Sequence, residues 1–188
     1  MSRSPVSLRD ATLADVLDLA ELWKKYLRRG GQEQLHDIAT AIEQLGGHPD
    51  ERLVVAEYDG EFAGAVFLRA APYSPVNPEP VLQAHNAAVV ASYRKRGVGK
   101  ALMECAVTWA EELGIGHVAT ATASGSREAN RFMARLAFAP QAVLRMAPTP
   151  AVRSKLSARD PAARQVTQVL AVRRSLRHAR SISAAETS

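Results

Sequence analysis

Apolar positions near the N-terminus fall at helical spacing. Leu13, Val16, Leu17, Ala20, Trp23 and Leu27 predict an amphipathic helix that stops near Gly30-Gly31. A short β-like "VSLR" precedes it, and Thr12 stands three residues before Asp15 in the arrangement of a capping box. Leu35, Ile38, Ala39, Ile42 and Leu45 predict a second helix from Gln32 to Leu45, closed by Gly46-Gly47 and Pro49. The period then changes. "RLVVAEY" and "FAGAVFLRA" are strand-like runs separated by "DGE", and Asp-Gly between apolar runs signals a hairpin.

"APYSPVNPEP" carries Pro72, Pro75, Pro78 and Pro80 and reads as a stiff surface loop, because a proline supplies no ladder donor. "VLQAHNAAVV" is the next strand. Val98, Leu102, Cys105, Ala106, Trp109 and Leu113 mark one face of a helix ending at Gly114. "GHVATATA" predicts a further strand, and Ser124-Gly125-Ser126 caps a helix with Ala129, Phe132, Met133 and Leu136 inward. Residues 141–146 predict another strand. Thr149-Pro150 opens a short helix to Leu156, "ARDPAA" is a linker, and residues 166–172 suit a strand or a helix equally.

Composition adds limits. The chain has 188 residues, 47% hydrophobic and 23% charged, which suits one folded core. No apolar run approaches the ~18 residues of a membrane span. The N-terminus has no apolar signal region, and the single Cys105 forms no internal disulfide, so the expected compartment is the cytoplasm. The net charge of +5 is uneven: from Ala151 onward eight basic residues face two acidic ones, while the first 150 residues are nearly balanced.

One stretch carries chemistry. In "ASYRKRGVGKAL" two glycines follow three cations between a strand and a helix. A helix start offers unpaired N–H groups at the positive end of its dipole, and glycine lets a bulky anion come close. Phosphate or pyrophosphate is the expected guest. The Walker pattern is absent, and Leu102 stands where a dinucleotide motif needs its third glycine.

"VVASYRKRGVGKAL" resembles the acyl-CoA pyrophosphate loop of the GNAT superfamily of N-acetyltransferases, [QR]-x-x-G-x-[GA], through Arg94, Gly97 and Gly99, with Val89 and Tyr93 upstream. "SREANRFMARLAF" is similar to the family's N-x-x-A-x-x-F-Y-x-x-L-G-F segment. The resemblance implies an α/β fold with a mixed, mostly antiparallel sheet of six to seven strands flanked by about four helices. It places the acetyltransferase core in residues 1–148 and a basic extension in 149–180, whose residues 166–172 would supply a seventh strand and an edge for a homodimer. Residues 181–188 are expected to form a disordered tail.

The resemblance further implies acetyl-CoA as co-substrate. Ala88, Val89, Val90, Arg94, Lys95, Arg96, Gly97, Val98, Gly99 and Lys100 would hold it, with Ser126, Asn130 and Met133 from the following helix. Pantetheine would lie where the strand ending at Val90 splays from the one over 118–122. The acceptor amine attacks the thioester in a ternary complex, which calls for a base, an oxyanion donor near Val89 and a proton for the thiolate. His85 is the first candidate base, expected on the strand face of Ala87 and Val89, and Glu79 is the second. His85 equally suits a structural strand histidine.

Three positions depart from the family pattern: Ser126 for Asn, Met133 for Tyr, and Ala137 for Gly. Met133 has no proton to give, which leaves Tyr73 as a candidate donor. Cys105 reads as packing, and the histidines show no metal-ligand spacing, so no metal is predicted. The acceptor, a small-molecule or a protein amine, would be met by Trp23, Tyr26, the Gly30-Gly31 joint and the proline-rich stretch. Two alternatives stand beside this: a non-catalytic acyl-CoA-binding module, and an acetyltransferase toxin acting on aminoacyl-tRNA through the basic tail.

Overall fold

The computed structural model describes residues 5–24, 31–123 and 125–159. The chain divides into two units, Met1–Ala139 and Pro140–Ser188.

In the first unit, strands β1 (Val6–Asp10), β2 (Glu51–Tyr58), β3 (Glu61–Ser74), β4 (Asn77–Val89) and β5 (Val118–Thr120) form a sheet in the order β1-β2-β3-β4-β5. The first four are antiparallel and β5 joins β4 in parallel. Helices α1 (Val16–Trp23) and α2 (Gly31–Gln44) cover one face, and α3 (Val98–Glu112) and α4 (Arg127–Arg135) the other. Leu53 and Val55 pack with Leu19, Trp23 and Ile38, whereas Val54 and Ala56 pack with Val98, Leu102, Met103 and Ala106. Cover on both faces explains why β2 is apolar without alternation.

The β2–β3 hairpin turns at Asp59 and Gly60, with φ of 51° and 87°. Both central residues are left-handed, as a two-residue hairpin with native twist requires. The proline-rich stretch, in contrast, is not a loop. β3 and β4 continue through it as a ribbon, with Pro72 opposite Pro80 and Ser74 opposite Asn77. β2 pairs β3 only as far as Arg69, and β5 meets β4 only from Leu82. Beyond those points no strand among the described residues pairs with either outer edge, so a proline with its nitrogen turned outward forfeits no ladder bond.

Four other expectations change. Residues 141–146, in the second unit, form no strand, and Val143, Leu144 and Met146 are exposed. A strand exists only where a neighbouring ladder accepts it, whatever its propensity. The sheet therefore has five strands among the described residues, and the candidate strand at 166–172 and the tail at 181–188 lie outside them. The predicted strand over 118–122 ends at Thr120. The inward line of α1 is Asp15, Leu19 and Trp23, while Leu13 and Leu17 are exposed. In α3, Leu113 is likewise exposed. The helix at Thr149-Pro150 forms as α5 (Thr149–Arg159).

Asp15 is buried because Arg9 meets it bidentately, at 2.7 and 2.8 Å, and also reaches Glu57 at 2.6 Å. The capping residue contributes as expected: the Thr12 N–H donates to the Asp15 carboxylate at 2.7 Å. Hydrogen bonding from Arg9 holds the Asp15 carboxyl below its ordinary pKa, against the opposing effect of burial.

Helices α3 and α4 end alike. Gly114 and Ile115 donate to the carbonyls of Glu111 and Ala110, and Ala137 and Phe138 donate to those of Ala134 and Met133. Each is a Schellman motif whose C′ residue is left-handed, Gly114 at φ 68° and Ala137 at φ 64°. The second carries alanine where glycine fits without strain.

Two outcomes follow for equilibrium denaturation. Ala137→Gly should stabilise the protein by about 0.5–1 kcal/mol and Gly114→Ala should destabilise it by a similar amount. Arg9→Met should cost roughly 1.5–3 kcal/mol at neutral pH by stranding the Asp15 carboxylate. The lowered Asp15 pKa contributes stability that is complete above the unfolded value, about 3.9, and is lost as pH falls through the folded value. The gap between the wild type and Arg9→Met should therefore narrow below about pH 4.

Candidate active site

At the C-terminal end of β4 the chain leaves the sheet through a 3-10 turn over Ala91–Tyr93, where Tyr93 N–H donates to the Val90 carbonyl at 3.0 Å. Lys95 and Gly97 then adopt positive φ, 61° and 90°, and Gly97 is the N-cap of α3. The first helical bond runs from Ala101 N–H to the Gly97 carbonyl at 2.9 Å. Among the described residues no backbone carbonyl accepts the N–H groups of Lys95 to Lys100. These donors stand at the positive end of a 15-residue helix, an arrangement that suits an anion.

The two glycines have different roles. Gly97 needs its left-handed backbone, and a Cβ there would meet nothing within 4 Å. Gly99 is helical, and a Cβ there would make ordinary contacts at 3.5 Å with Phe132 and Val89. Alanine is therefore sterically acceptable at Gly99 and conformationally costly at Gly97.

Three of the surrounding cations are individually engaged. Arg94 reaches Glu128 at 3.7 Å, Lys100 reaches Glu104 at 2.9 Å, and the Arg96 guanidinium lies 5.3 Å from the centre of the Tyr58 ring. Tyr58 in turn stacks on Tyr93 at 5.6 Å. These contacts aim the turn without filling it.

β4 also opens the sheet. Its ladder with β5 ends at Ala84 opposite Thr120, where the Thr120 hydroxyl donates to the Ala84 carbonyl at 2.9 Å. β4 runs on to Val89, and no strand among the described residues pairs with its β5-facing edge there. Asn86 sits in this segment at φ 52°, and the β3–β4 register shifts beside it. This is a bulge. The Trp23 indole Nε1 donates to the Asn86 carbonyl at 2.8 Å.

The bulge overturns the expected placement of His85. Leu82 and Ala84 pack on the α3 side; beyond Asn86, Ala87 and Val89 take that side and Ala88 faces α1 and α2. His85 is paired with Phe67, ring centres 6.3 Å apart, and so faces away from Ala87 and Val89. The extra residue reverses the alternation. The His85 Nε2 is 3.1 Å from the Gln83 Oε1. His85 is exposed, yet partial desolvation first, then the nearby Arg69, lower its pKa below the ordinary histidine value, and Glu51 opposes them.

Other candidates fall outside this cluster. Tyr73 and Glu79 lie exposed near the ribbon tip, and six residues of strand separate Glu79 from His85, about 20 Å. The Val90 N–H is committed to the Ala63 carbonyl at 2.9 Å and offers nothing to a ligand. In α4, the Ser126 hydroxyl caps the helix by accepting from Ala129 N–H at 3.3 Å. Asn130 bonds to the Thr122 hydroxyl and the Ser126 carbonyl, and Met133 is buried in the core. Burial pushes the Cys105 thiol pKa up, which suits packing. Sequence reasoning passed over Gln83, although a residue two before His85 shares its strand face, and over Asn86, a residue type that tolerates left-handed backbone.

The family model described as "Acetyltransferase (GNAT) family" matches residues 16–138. The chain belongs to the acetyltransferase (GNAT) family. No protein of curated function matches the sequence. Among solved structures, glucosamine-6-phosphate N-acetyltransferase from Arabidopsis thaliana is similar at 15% identity with a TM-score of 0.61, covering 77% of this chain and 98% of that one. The aminoglycoside N-acetyltransferase AAC(6')-Iy, in complex with CoA, is 19% identical with a TM-score of 0.63, covering 79% and 97%. A ribosomal-protein-alanine N-acetyltransferase from Brucella melitensis biovar Abortus 2308 is 21% identical with a TM-score of 0.58, covering 76% and 98%. These likenesses establish a GNAT fold. Ala137, where the GNAT segment has glycine, occupies the left-handed C′ place described above.

Urea denaturation separates the two glycines. Gly97→Ala should lose about 1–2 kcal/mol of stability, while Gly99→Ala should stay level or gain up to about 1 kcal/mol from helix propensity.

Proposed function

We propose that this protein is an acetyl-CoA-dependent N-acetyltransferase that transfers the acetyl group to a primary amine by direct attack in a ternary complex. The observation that carries the reading is the run of N–H groups from Lys95 to Lys100 without backbone partners, opening beside the strandless edge of β4. The pyrophosphate fits the concavity at the start of α3, and the pantetheine arm fits the gap between β4 and β5. Ala88 and Val89 border that gap. Ser126, Asn130 and Met133 act from behind it, shaping α4 and its N-terminal loop.

His85 is assigned as the base. Its lowered pKa keeps the imidazole neutral and able to accept at pH 7. Loss of one proton from the acceptor ammonium frees the nitrogen lone pair, which attacks the thioester carbonyl. The second proton leaves that nitrogen as the C–S bond breaks and passes to the departing sulfur. No phenol is needed, so the reading gives no role to Tyr73 or Glu79.

Burial of Met133 at the family's tyrosine position also suits a second reading, a coenzyme-binding module without turnover. Calorimetric titration with acetyl-CoA, beside Gly97→Glu, tests the shared part. Binding by the wild type and its loss in the variant is expected; absence of wild-type binding overturns both readings. Coenzyme release with a panel of small-molecule and peptide amines then distinguishes them. His85→Ala should lower kcat/KM by about 10²-fold or more. In the wild type the acidic limb of kcat/KM should fall below about pH 6.5, since the neutral form of a histidine with depressed pKa persists to lower pH. Tight binding with no release from any amine would leave the module.

A further inference from the structure

The Gln83 side chain has one amide orientation that its neighbours accept. Its Nε2 lies 3.4 Å from the Ala71 carbonyl and 3.5 Å from the Pro72 carbonyl, and carbonyl oxygens only accept. Its Oε1 therefore faces His85 Nε2, 3.1 Å away. An amide oxygen cannot donate, so the His85 Nε2 carries the hydrogen. In a neutral imidazole the lone pair then sits on Nδ1.

We propose that Gln83 is a positioning residue for the acetyl transfer, holding His85 as its Nε2–H tautomer so that Nδ1 is the atom that takes the proton from the acceptor ammonium. This rests on His85 being the base. Proton uptake makes His85 an imidazolium with hydrogens on both nitrogens, and its Nε2–H bond to Gln83 Oε1 strengthens as the charge appears. The proton goes to solvent after product leaves, and His85 returns to the same tautomer.

The residue type matters. A carboxylate at position 83 would favour the charged imidazole and reduce the neutral fraction available as a base, whereas a neutral amide orients it without that added charge. Among the described residues the charges acting on His85 are Arg69 on β3 and Glu51 on β2, themselves an ion pair at 3.2 Å. Their opposite signs leave no strong net field to fix the tautomer. Phe67 flanks the ring without a polar atom. Orientation therefore falls to Gln83.

The tautomer can be read without turnover. Long-range ¹H–¹⁵N correlation spectra of the full chain at about pH 8, with His85 assigned by the signal lost in His85→Gln, should show the Nε2–H pattern. Gln83→Leu should convert that pattern to a mixture and lower kcat/KM about fivefold, with the KM for acetyl-CoA unchanged. Gln83→Glu should raise the His85 pKa by about 1 unit and carry the acidic limb of kcat/KM up with it.

An Nδ1–H or mixed pattern in the wild type, or a pattern that Gln83→Leu leaves unaltered, would overturn the positioning role even in an active enzyme. The expected tautomer with a kcat/KM limb that ignores Gln83→Glu would instead overturn His85 as the base, and the proposal with it. Acetyl-CoA binding and turnover, measured in parallel, show whether the acetyltransferase reading itself has failed.

Discussion

The hydrogen bond from the Trp23 indole to the Asn86 carbonyl lets β4 keep two registers in one strand. A bulge turns one carbonyl out of the ladder, and a part-buried acceptor gains from a donor supplied elsewhere in the fold. Trp23 is buried and supplies the missing donor. Among the described residues, the strand before Asn86 pairs with β5 and the strand after it has no partner on that edge. The open edge, the inward aim of Val89 and the outward turn of His85 are consequences of the same inserted residue.

Trp23 reaches Asn86 only because α1 is fixed at its other end. Asp15, Leu19 and Trp23 form one inward line, and Arg9 on β1 holds Asp15 while also meeting Glu57 on β2. The first strand, the first helix and the bulge are thus mechanically joined. On the opposite side Gly64 lets β3 close on the same place: a Cβ there would stand 2.6 Å from the Ala88 carbonyl and 3.3 Å from Val98. Backbone cannot yield at that distance, so this glycine is needed for the start of α3 to seat against β4.

Features set by local chemistry were legible in the sequence. Asp59-Gly60, the Ser126 cap and the glycine turn at Gly97 each specify a backbone conformation within a few residues, and each forms where expected. Features set by distant partners were not. Asp15 is polar and drops out of an apolar periodicity, which puts Leu13 and Leu17 in its place, because the Arg9 contacts that make its burial possible come from another element. The prolines of the ribbon exclude a strand only where both edges are occupied, and occupancy depends on where β2 and β5 stop. The face of His85 follows ordinary alternation unless a bulge intervenes, and the indole that secures this bulge is 63 residues away.

The same distinction orders the parts of the anion site. The cations are the most conspicuous part of the sequence, yet Arg94 and Lys100 make exposed ion pairs, a kind typically worth about 0–1 kcal/mol, and Arg96 lies over an aromatic ring. Salt screens such charges beyond about 8 Å at physiological strength. Backbone N–H groups without carbonyl partners, such as those from Lys95 to Lys100, would meet an anion at contact distance and need no side-chain ordering. Lys95 is held in a left-handed conformation that costs a non-glycine residue about 1–2 kcal/mol, a strain compatible with a turn whose shape is the binding element. The charges then serve mainly to raise the local concentration of an anionic ligand, and the backbone between Lys95 and Lys100 decides whether it stays.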